Sequence, residues 1–192
     1  MKKCSAAEAF SKATTDKGYV HGYDVHYDRI FENFEPKSLL EIGIKQGSSL
    51  LSWRYMFPDC KISGIDITNE SFSDVKIFPS RAKIIIGDAT KPKILKKLQS
   101  NYDVIIDDGS HYYKDIMRSF KLLHTKFNKY YVIEDYCYDV EMAKKFFKNL
   151  GYDKVYFYSS ENRKKRYPKN SMYKTSNTDM IIVNQKFIVV ER

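Results

Sequence analysis

No stretch of this chain approaches the roughly 20 consecutive apolar residues that a membrane-spanning helix needs. Its opening, Met1-Lys2-Lys3-Cys4-Ser5, leads into alanines and Glu8 instead of the apolar core of a signal peptide, so a cytoplasmic location is the expectation. Cysteine is scarce: Cys4, Cys60 and Cys137 are odd in number, widely separated and without a Cys-x-x-Cys pair. That pattern argues against a disulfide framework and against a structural zinc site. Internal repeats, low-complexity tracts and Pro/Gly/Ser-rich linkers are also missing. The 192 residues therefore read as one domain with its own core, in which 1–34 form a helical or lid segment ahead of a main domain over 35–192.

Two nucleotide fingerprints are absent as well. After the first apolar run the chain reads Glu41-Ile42-Gly43-Ile44-Lys45-Gln46-Gly47-Ser48-Ser49. Lys45 stands where a dinucleotide turn needs its second glycine, and no Gly-Lys-Ser/Thr follows to make a P-loop. Nor does the chain carry the Asn/Asp-Pro-Pro-Tyr sequence of amine-methylating enzymes.

What is present begins with charge. The net charge is +9, concentrated in Arg163-Lys164-Lys165-Arg166, in Lys91/Lys93/Lys96/Lys97 and in Lys144/Lys145/Lys148. Such fields attract anions, including phosphorylated substrates, acidic glycans and nucleic acid. The second and third blocks fall on helical patterns and are better explained as solvated faces, whereas for the 163–166 block, on a loop near the chain's end, the two readings stand even.

Strand-like and helix-like stretches alternate. Strands are expected at Ser38–Ile42, Lys61–Asp66, Lys83–Ile86, Val104–Asp107, Tyr131–Glu134, Tyr152–Ser159 and Met180–Asn184, with Lys186–Val190 extending or following the last. Helices are expected at 5–13, 24–34, Ser49–Phe57, Pro92–Gln99, 113–127 and 140–149, with a loop over 14–23. Five β/α steps and then two consecutive strands predict an α/β doubly wound, Rossmann-like sheet. Seven strands, mostly parallel, would carry an antiparallel edge strand and helices on both faces.

Ligands of such sheets bind beyond the carboxyl ends of the strands, and that is where the acids collect. Val104-Ile105-Ile106 ends in Asp107-Asp108-Gly109-Ser110-His111, and Tyr131-Val132-Ile133 ends in Glu134-Asp135. Carboxylates and an imidazole at one rim are costly unless a cation or a reaction uses them. Upstream, Gly43 and Gly47 allow close backbone approach at a strand-to-helix turn. The second strand closes in Gly64-Ile65-Asp66, placed to accept both hydroxyls of a ribose, and the third in Gly87-Asp88-Ala89, placed to read an adenine edge. A glycine turn, a ribose acid and an adenine acid without a phosphate cradle describe S-adenosylmethionine better than a nucleotide.

The ordered set ExGxxxGxS, GIDI, GDA, DDGSH and VIED resembles the class I S-adenosylmethionine-dependent methyltransferases. DDGSH with IED is most similar to the metal-dependent macrolide and sugar O-methyltransferases. Thr15-Asp16-Lys17-Gly18 with His21-Gly22-Tyr23 and Tyr27 resembles the segment found there ahead of the first strand. The resemblance covers roughly residues 15–136. It implies that Glu41, Gly43, Gly47, Ser48, Asp66 and Asp88 hold the cofactor; Ile67, Ala89, Asp107 and Lys17 are taken with them. For Asp107 a buried structural carboxylate is the alternative, and for Lys17 a contact that stabilises the N-terminal segment. The resemblance also implies magnesium, or another divalent cation, on Asp108, Glu134 and Asp135, with His111 as general base. Hard oxygen ligands of that kind suit magnesium.

The reading is thus methyl transfer to a hydroxyl of a sugar or glycan-like small molecule, or of another anionic hydroxylated acceptor. A catechol-type O-methyltransferase, an RNA methyltransferase and a non-catalytic binding module remain as alternatives. Whether the chain forms homo-oligomers is left open. Set against that resemblance, the chain is expected to lack the large extra domain and long substrate loops of the macrolide enzymes, and Lys126–Tyr130 stands where a Pro-Gly-Gly turn is usual before the fifth strand.

Overall fold

The computed structural model describes residues 4–68, 82–159 and 186–192. Three short helices come first, α1 (Ala6–Ala13), α2 (Asp16–Tyr19) and α3 (Asp24–Ile30), followed by β1 (Ser38–Ile42) and α4 (Ser48–Met56). Then follow β2 (Lys61–Asp66), β3 (Ala82–Ile86), a 3-10 helix (Pro92–Lys97), β4 (Tyr102–Asp107) and α5 (Tyr113–Leu123). The chain continues through β5 (Phe127–Tyr136), α6 (Val140–Asn149), β6 (Val155–Ser159) and β7 (Lys186–Glu191).

The seven strands form one sheet in the order β3-β2-β1-β4-β5-β7-β6. β3, β2, β1, β4 and β5 run parallel, while β7 is antiparallel to both β5 and β6. The expected doubly wound sheet is therefore present, and its antiparallel hairpin lies at one edge with β7 as the inner strand.

Apolar runs appear where both faces of a strand are covered, because successive side chains point to opposite sides. Leu39, Val104, Ile106, Val132 and Val189 join α1, α3 and α4 in one core. Their chain neighbours Leu40, Ile105, Tyr131, Ile133, Ile188 and Val190 pack with α5 and α6 on the other side. On the first face Phe10 and Tyr27 meet Trp53 at ring-centroid distances of 5.5 and 4.8 Å. The N-terminal helices are therefore built into the core of the domain. α1 starts on a reciprocal cap between Ser5 and Glu8, a pairing that satisfies two otherwise orphaned backbone donors.

Several boundaries differ from expectation. Residues 14–23, expected as a loop, contain α2. The helix expected to reach Phe127 ends at Leu123, and β5 begins at Phe127, within the passage expected to be a turn. Phe127 is fully buried against Phe120 and Tyr152, so core packing extends this strand backwards. The Pro92 helix is of the tighter 3-10 type, and α3 stops at Ile30. The strand expected at 180–184 and the basic block 163–166 lie outside the described residues; the Lys186–Val190 stretch expected to extend or follow that strand falls in β7. Among the described residues, no helix is long and apolar enough to cross a membrane.

β1 is flanked by β2 on one side and β4 on the other, so the winding direction reverses between β1 and β4. That reversal opens a crevice at their carboxyl ends. Register brings the ends level: Ile42 is beside Ile65 and Asp107, and Asp107 is beside Ile133.

Candidate active site

A cleft of about 620 Å³ occupies this crevice. Gly43, Ser48, Asp66, Ile67, Asp88, Ala89, Asp107, Asp108, His111, Glu134, Asp135 and Lys17, all candidates from the sequence, line it. Gly43 sits at the reversal with φ +79°, and a Cβ there would lie 2.1 Å from the Asp108 carbonyl oxygen. Only glycine permits both the left-handed backbone and that approach. Two expected cofactor residues are placed otherwise. Gly47 adopts φ 87° as the N-cap of α4, outside the cleft lining. Glu41 is fully buried beneath the cleft, accepting from Trp53 Nε1 at 2.8 Å.

On the β1–β3 side the acids are held by nearby backbone. Asp66 Oδ2 accepts from the Ile44 and Lys45 amides at 3.0 and 2.8 Å, and Oδ1 from the Thr68 amide at 3.2 Å. It thereby ties the turn after β1 to the end of β2. Asp88 Oδ1 accepts from the Thr90 amide and hydroxyl at 2.8 and 2.6 Å. The Thr90 hydroxyl is the main cause of a lowered Asp88 pKa. Ile67 is 71 % exposed, an apolar side chain left open beside Asp66. Ala89 is buried.

Asp107 has a different environment. It is buried and accepts from the hydroxyls of Ser119 and Tyr131 and from the Gly109 amide. Burial raises its pKa to about 6. Its oxygens tie β4 to α5 and β5, the structural alternative weighed for it. Ser119 was not anticipated; its signal is a lone hydroxyl on the otherwise apolar Ile116–Phe120–Leu123 face of α5.

On the β4–β5 side the acids are held by the N-terminal helices. Lys17, only 1 % exposed, places Nζ 2.6 Å from Asp108 Oδ2, 2.8 Å from both Glu134 oxygens and 3.2 Å from Glu41 Oε1. The Tyr27 hydroxyl donates to Glu134 and the Tyr23 hydroxyl to Asp135. His21 Nδ1 lies 3.2 Å from Asp135 Oδ1. Burial alone would lower the Lys17 pKa, yet Asp108, Glu134 and Glu41 together hold it well above the ordinary value. Burial raises Glu134 and Asp108 against the pull of Lys17. Asp135 goes the other way: burial would raise it, but His21, the Tyr23 hydroxyl and His111 bring it to about 2.

Above this layer, Asp108, His111 and Asp135 each offer a ligand atom, all within 4.8 Å of one another. His111 Nε2 is 3.8 Å from Asp108 Oδ1, and Nδ1 is 3.5 Å from Asp135 Oδ2. His111 and Asp135 both have positive φ, 61° and 53°. Left-handed backbone at two non-glycine residues is unfavourable and concentrates at functional sites. Glu134, the third expected metal ligand, reaches the cleft but has its oxygens on Lys17 and Tyr27. Three buried or half-buried carboxylates around one ammonium leave excess negative charge, a donor set that fits a hard divalent cation. Gly43 lets the turn after β1 close against the backbone of Asp108 and Gly109, so both turns line the same cleft.

The sheet of this strand order has the Rossmann-like fold of solved class I methyltransferases. The chain's sequence relatives include O-methyltransferases of macrolides and of rhamnosyl tetracenomycin-C. It is 34 % identical over 149 residues to mycinamicin VI 2''-O-methyltransferase of Micromonospora griseorubida, covering 70 % of this chain and 36 % of that protein. It is 35 % identical over 143 residues to demethylmacrocin O-methyltransferase of Streptomyces fradiae, covering 67 % and 35 %. The MycE methyltransferase of mycinamycin biosynthesis, solved with Mg and SAH, superposes with a TM-score of 0.62 at 29 % identity over 78 % of this chain and 43 % of that one. The chain spans about a third of the length of the curated relatives it matches. No protein-family model matches it.

Proposed function

We propose that this domain transfers the methyl group of S-adenosylmethionine to a hydroxyl of a sugar or glycan-like small molecule, assisted by magnesium or another divalent cation. The observation that carries the reading is the convergence of Asp108, His111 and Asp135 beside the Gly43 turn, in a chain whose relatives methylate sugars on macrolides. Gly43 and Ser48 would bound the methionine end of the cofactor, Asp66 the ribose, and Asp88 with Ala89 the adenine, while the open Ile67 side chain covers the base. Asp108 and Asp135 would hold the cation from the cleft side and Glu134 from the Lys17 side.

Sulfonium methyl transfer is an in-line displacement, so the domain must align the acceptor oxygen and remove its proton. When bound, the cation supplies acidification and orientation of neighbouring hydroxyls. His111, partly exposed at the cleft mouth between two carboxylates, takes the proton. Its Nε2 and Nδ1 lie 3.8 Å from Asp108 and 3.5 Å from Asp135, near both carboxylates but bonded to neither, so the neutral ring keeps one nitrogen free to accept the proton while the other stays N–H.

The test is transfer of labelled methyl from S-adenosylmethionine to a panel of free and macrolide-linked deoxysugars, catechols and RNA. Sugar labelling that needs magnesium, and a His111→Ala variant slowed about 10²- to 10⁴-fold with unchanged cofactor affinity, is the expected result. Labelling of catechols or RNA alone would replace the acceptor assignment. Failure of S-adenosylmethionine to bind in calorimetry would remove the methyltransferase reading.

A further inference from the structure

Lys17 is the most deeply buried cation of the site, only 1 % exposed. A lysine this deeply buried is rare unless paired, because desolvating an ammonium is expensive. Here it is paired three times over, with Glu41, Asp108 and Glu134. The two sides of this cluster are not equivalent. Glu41 lies beneath Lys17, is anchored by Trp53 and stays outside the cleft lining. Asp108 and Glu134 line the cleft.

Asp108 is the branch point. Its Oδ2 points inward to Lys17 at 2.6 Å, while Oδ1 faces His111 at 3.8 Å. With one oxygen pinned, the other is aimed at the space among Asp108, His111 and Asp135. Glu134, gripped through both oxygens by Lys17 and through one by Tyr27, is held back from that space. Lys17 thus directs one carboxylate and restrains another, while its positive charge sits on the inner side of the same carboxylates that face the cleft.

Resting on the divalent-cation reading above, we infer that Lys17 is a positioning residue that competes with the cation for Asp108 and Glu134. It keeps the acidic cluster in shape before the cation arrives, and it weakens cation binding in exchange for a fixed geometry. At these distances like-charge repulsion is large in a partly buried site, so the ammonium is a strong lever on cation affinity. Glu41 acts with the opposite sign: its negative charge, out of the cation's reach, offsets the lysine.

The inference is tested by titrating Mn²⁺ into the full chain by electron paramagnetic resonance, for wild type, Lys17→Met, Lys17→Arg and Glu41→Gln. Lys17→Met is expected to bind Mn²⁺ at least about tenfold more tightly and to turn over more slowly, because the freed carboxylates rotate. Lys17→Arg, which keeps the charge, is expected to stay near the wild-type affinity. Glu41→Gln is expected to bind a few-fold more weakly, and it carries the test if Lys17→Met does not fold. A lysine that was merely structural would, when lost, leave cation binding equal or weaker. Equal or weaker binding in Lys17→Met, or equal or tighter binding in Glu41→Gln, overturns the inference. If wild type binds no Mn²⁺, the metal reading itself falls and takes this inference with it.

Discussion

The two halves of the cleft secure their acids by opposite means. Asp66 and Asp88 are held by amides and a hydroxyl from the turns around them. Asp108, Glu134 and Asp135 are held by Lys17, Tyr27, Tyr23 and His21, between 91 and 117 residues away in the chain for the hydrogen-bonded pairs. The first arrangement spans at most 22 residues of chain and is partly exposed. The second is buried and depends on α2 and α3 being docked. It follows that the half assigned to the cofactor stands largely by itself, whereas the half assigned to metal and catalysis is assembled only in the complete fold.

The harshest way to break this comparison is to strike where the halves meet. Gly43→Ala would put a methyl group 2.1 Å from the Asp108 carbonyl oxygen and force a positive φ on alanine. Both halves should fail together, with S-adenosylmethionine and Mn²⁺ binding lost and stability reduced by more than about 4 kcal/mol. Denaturant unfolding and calorimetry measure this, and intact binding in either half would show that the crevice is wider than described.

Next in size is removal of the cation. Chelation should abolish methyl transfer while S-adenosylmethionine affinity stays within about twofold, because no residue proposed for the cation lies on the β1–β3 side. Loss of cofactor binding on chelation would mean that the halves are one site.

Smaller again is Tyr27→Phe. The hydroxyl donates to a buried carboxylate, and hydrogen bonds to charged groups contribute about 1.5–3 kcal/mol. Unfolding should show a loss of that order, with Mn²⁺ binding altered and S-adenosylmethionine binding unchanged. An unchanged stability would indicate that Lys17 alone secures Glu134.

How far each half was legible in the sequence follows the same division. β4 was legible because a strand buried on both faces is written as an uninterrupted apolar run, Val104-Ile105-Ile106, with its acids directly after it; β1 and β2 were read from short apolar stretches that end at a glycine turn or an acid. The side chains that hold the second half were not legible as such. Lysine reads as a surface residue, and only the resemblance of the Asp16-Lys17-Gly18 segment drew attention to Lys17. Its burial depends on three carboxylates delivered by three different strands, which no local pattern encodes. The resemblance put Glu41 with the cofactor residues, while strand alternation turns its side chain to the Trp53 face and to Lys17. The start of β5 was hidden because Asn128 and Lys129 look like a turn, while the pairing of Phe127 with Tyr102 is a long-range fact.

The finest test separates the halves with one atom. Asp88 is 40 % exposed at its side chain, and Asn at this position would keep an oxygen to accept from Thr90. Stability should therefore change by less than about 0.5 kcal/mol. The oxygen lost is Oδ2, the one not engaged by Thr90, and an amide nitrogen there donates where the carboxylate accepted. If Asp88 accepts from the adenine amino group, one hydrogen bond of about 0.5–1.5 kcal/mol disappears, so S-adenosylmethionine should bind roughly three- to tenfold more weakly. Mn²⁺ affinity should not move, since Asp88 belongs to the locally held half. A change in Mn²⁺ affinity in Asp88→Asn would contradict the independence of the two halves, and an unchanged cofactor affinity would take Asp88 off the adenine.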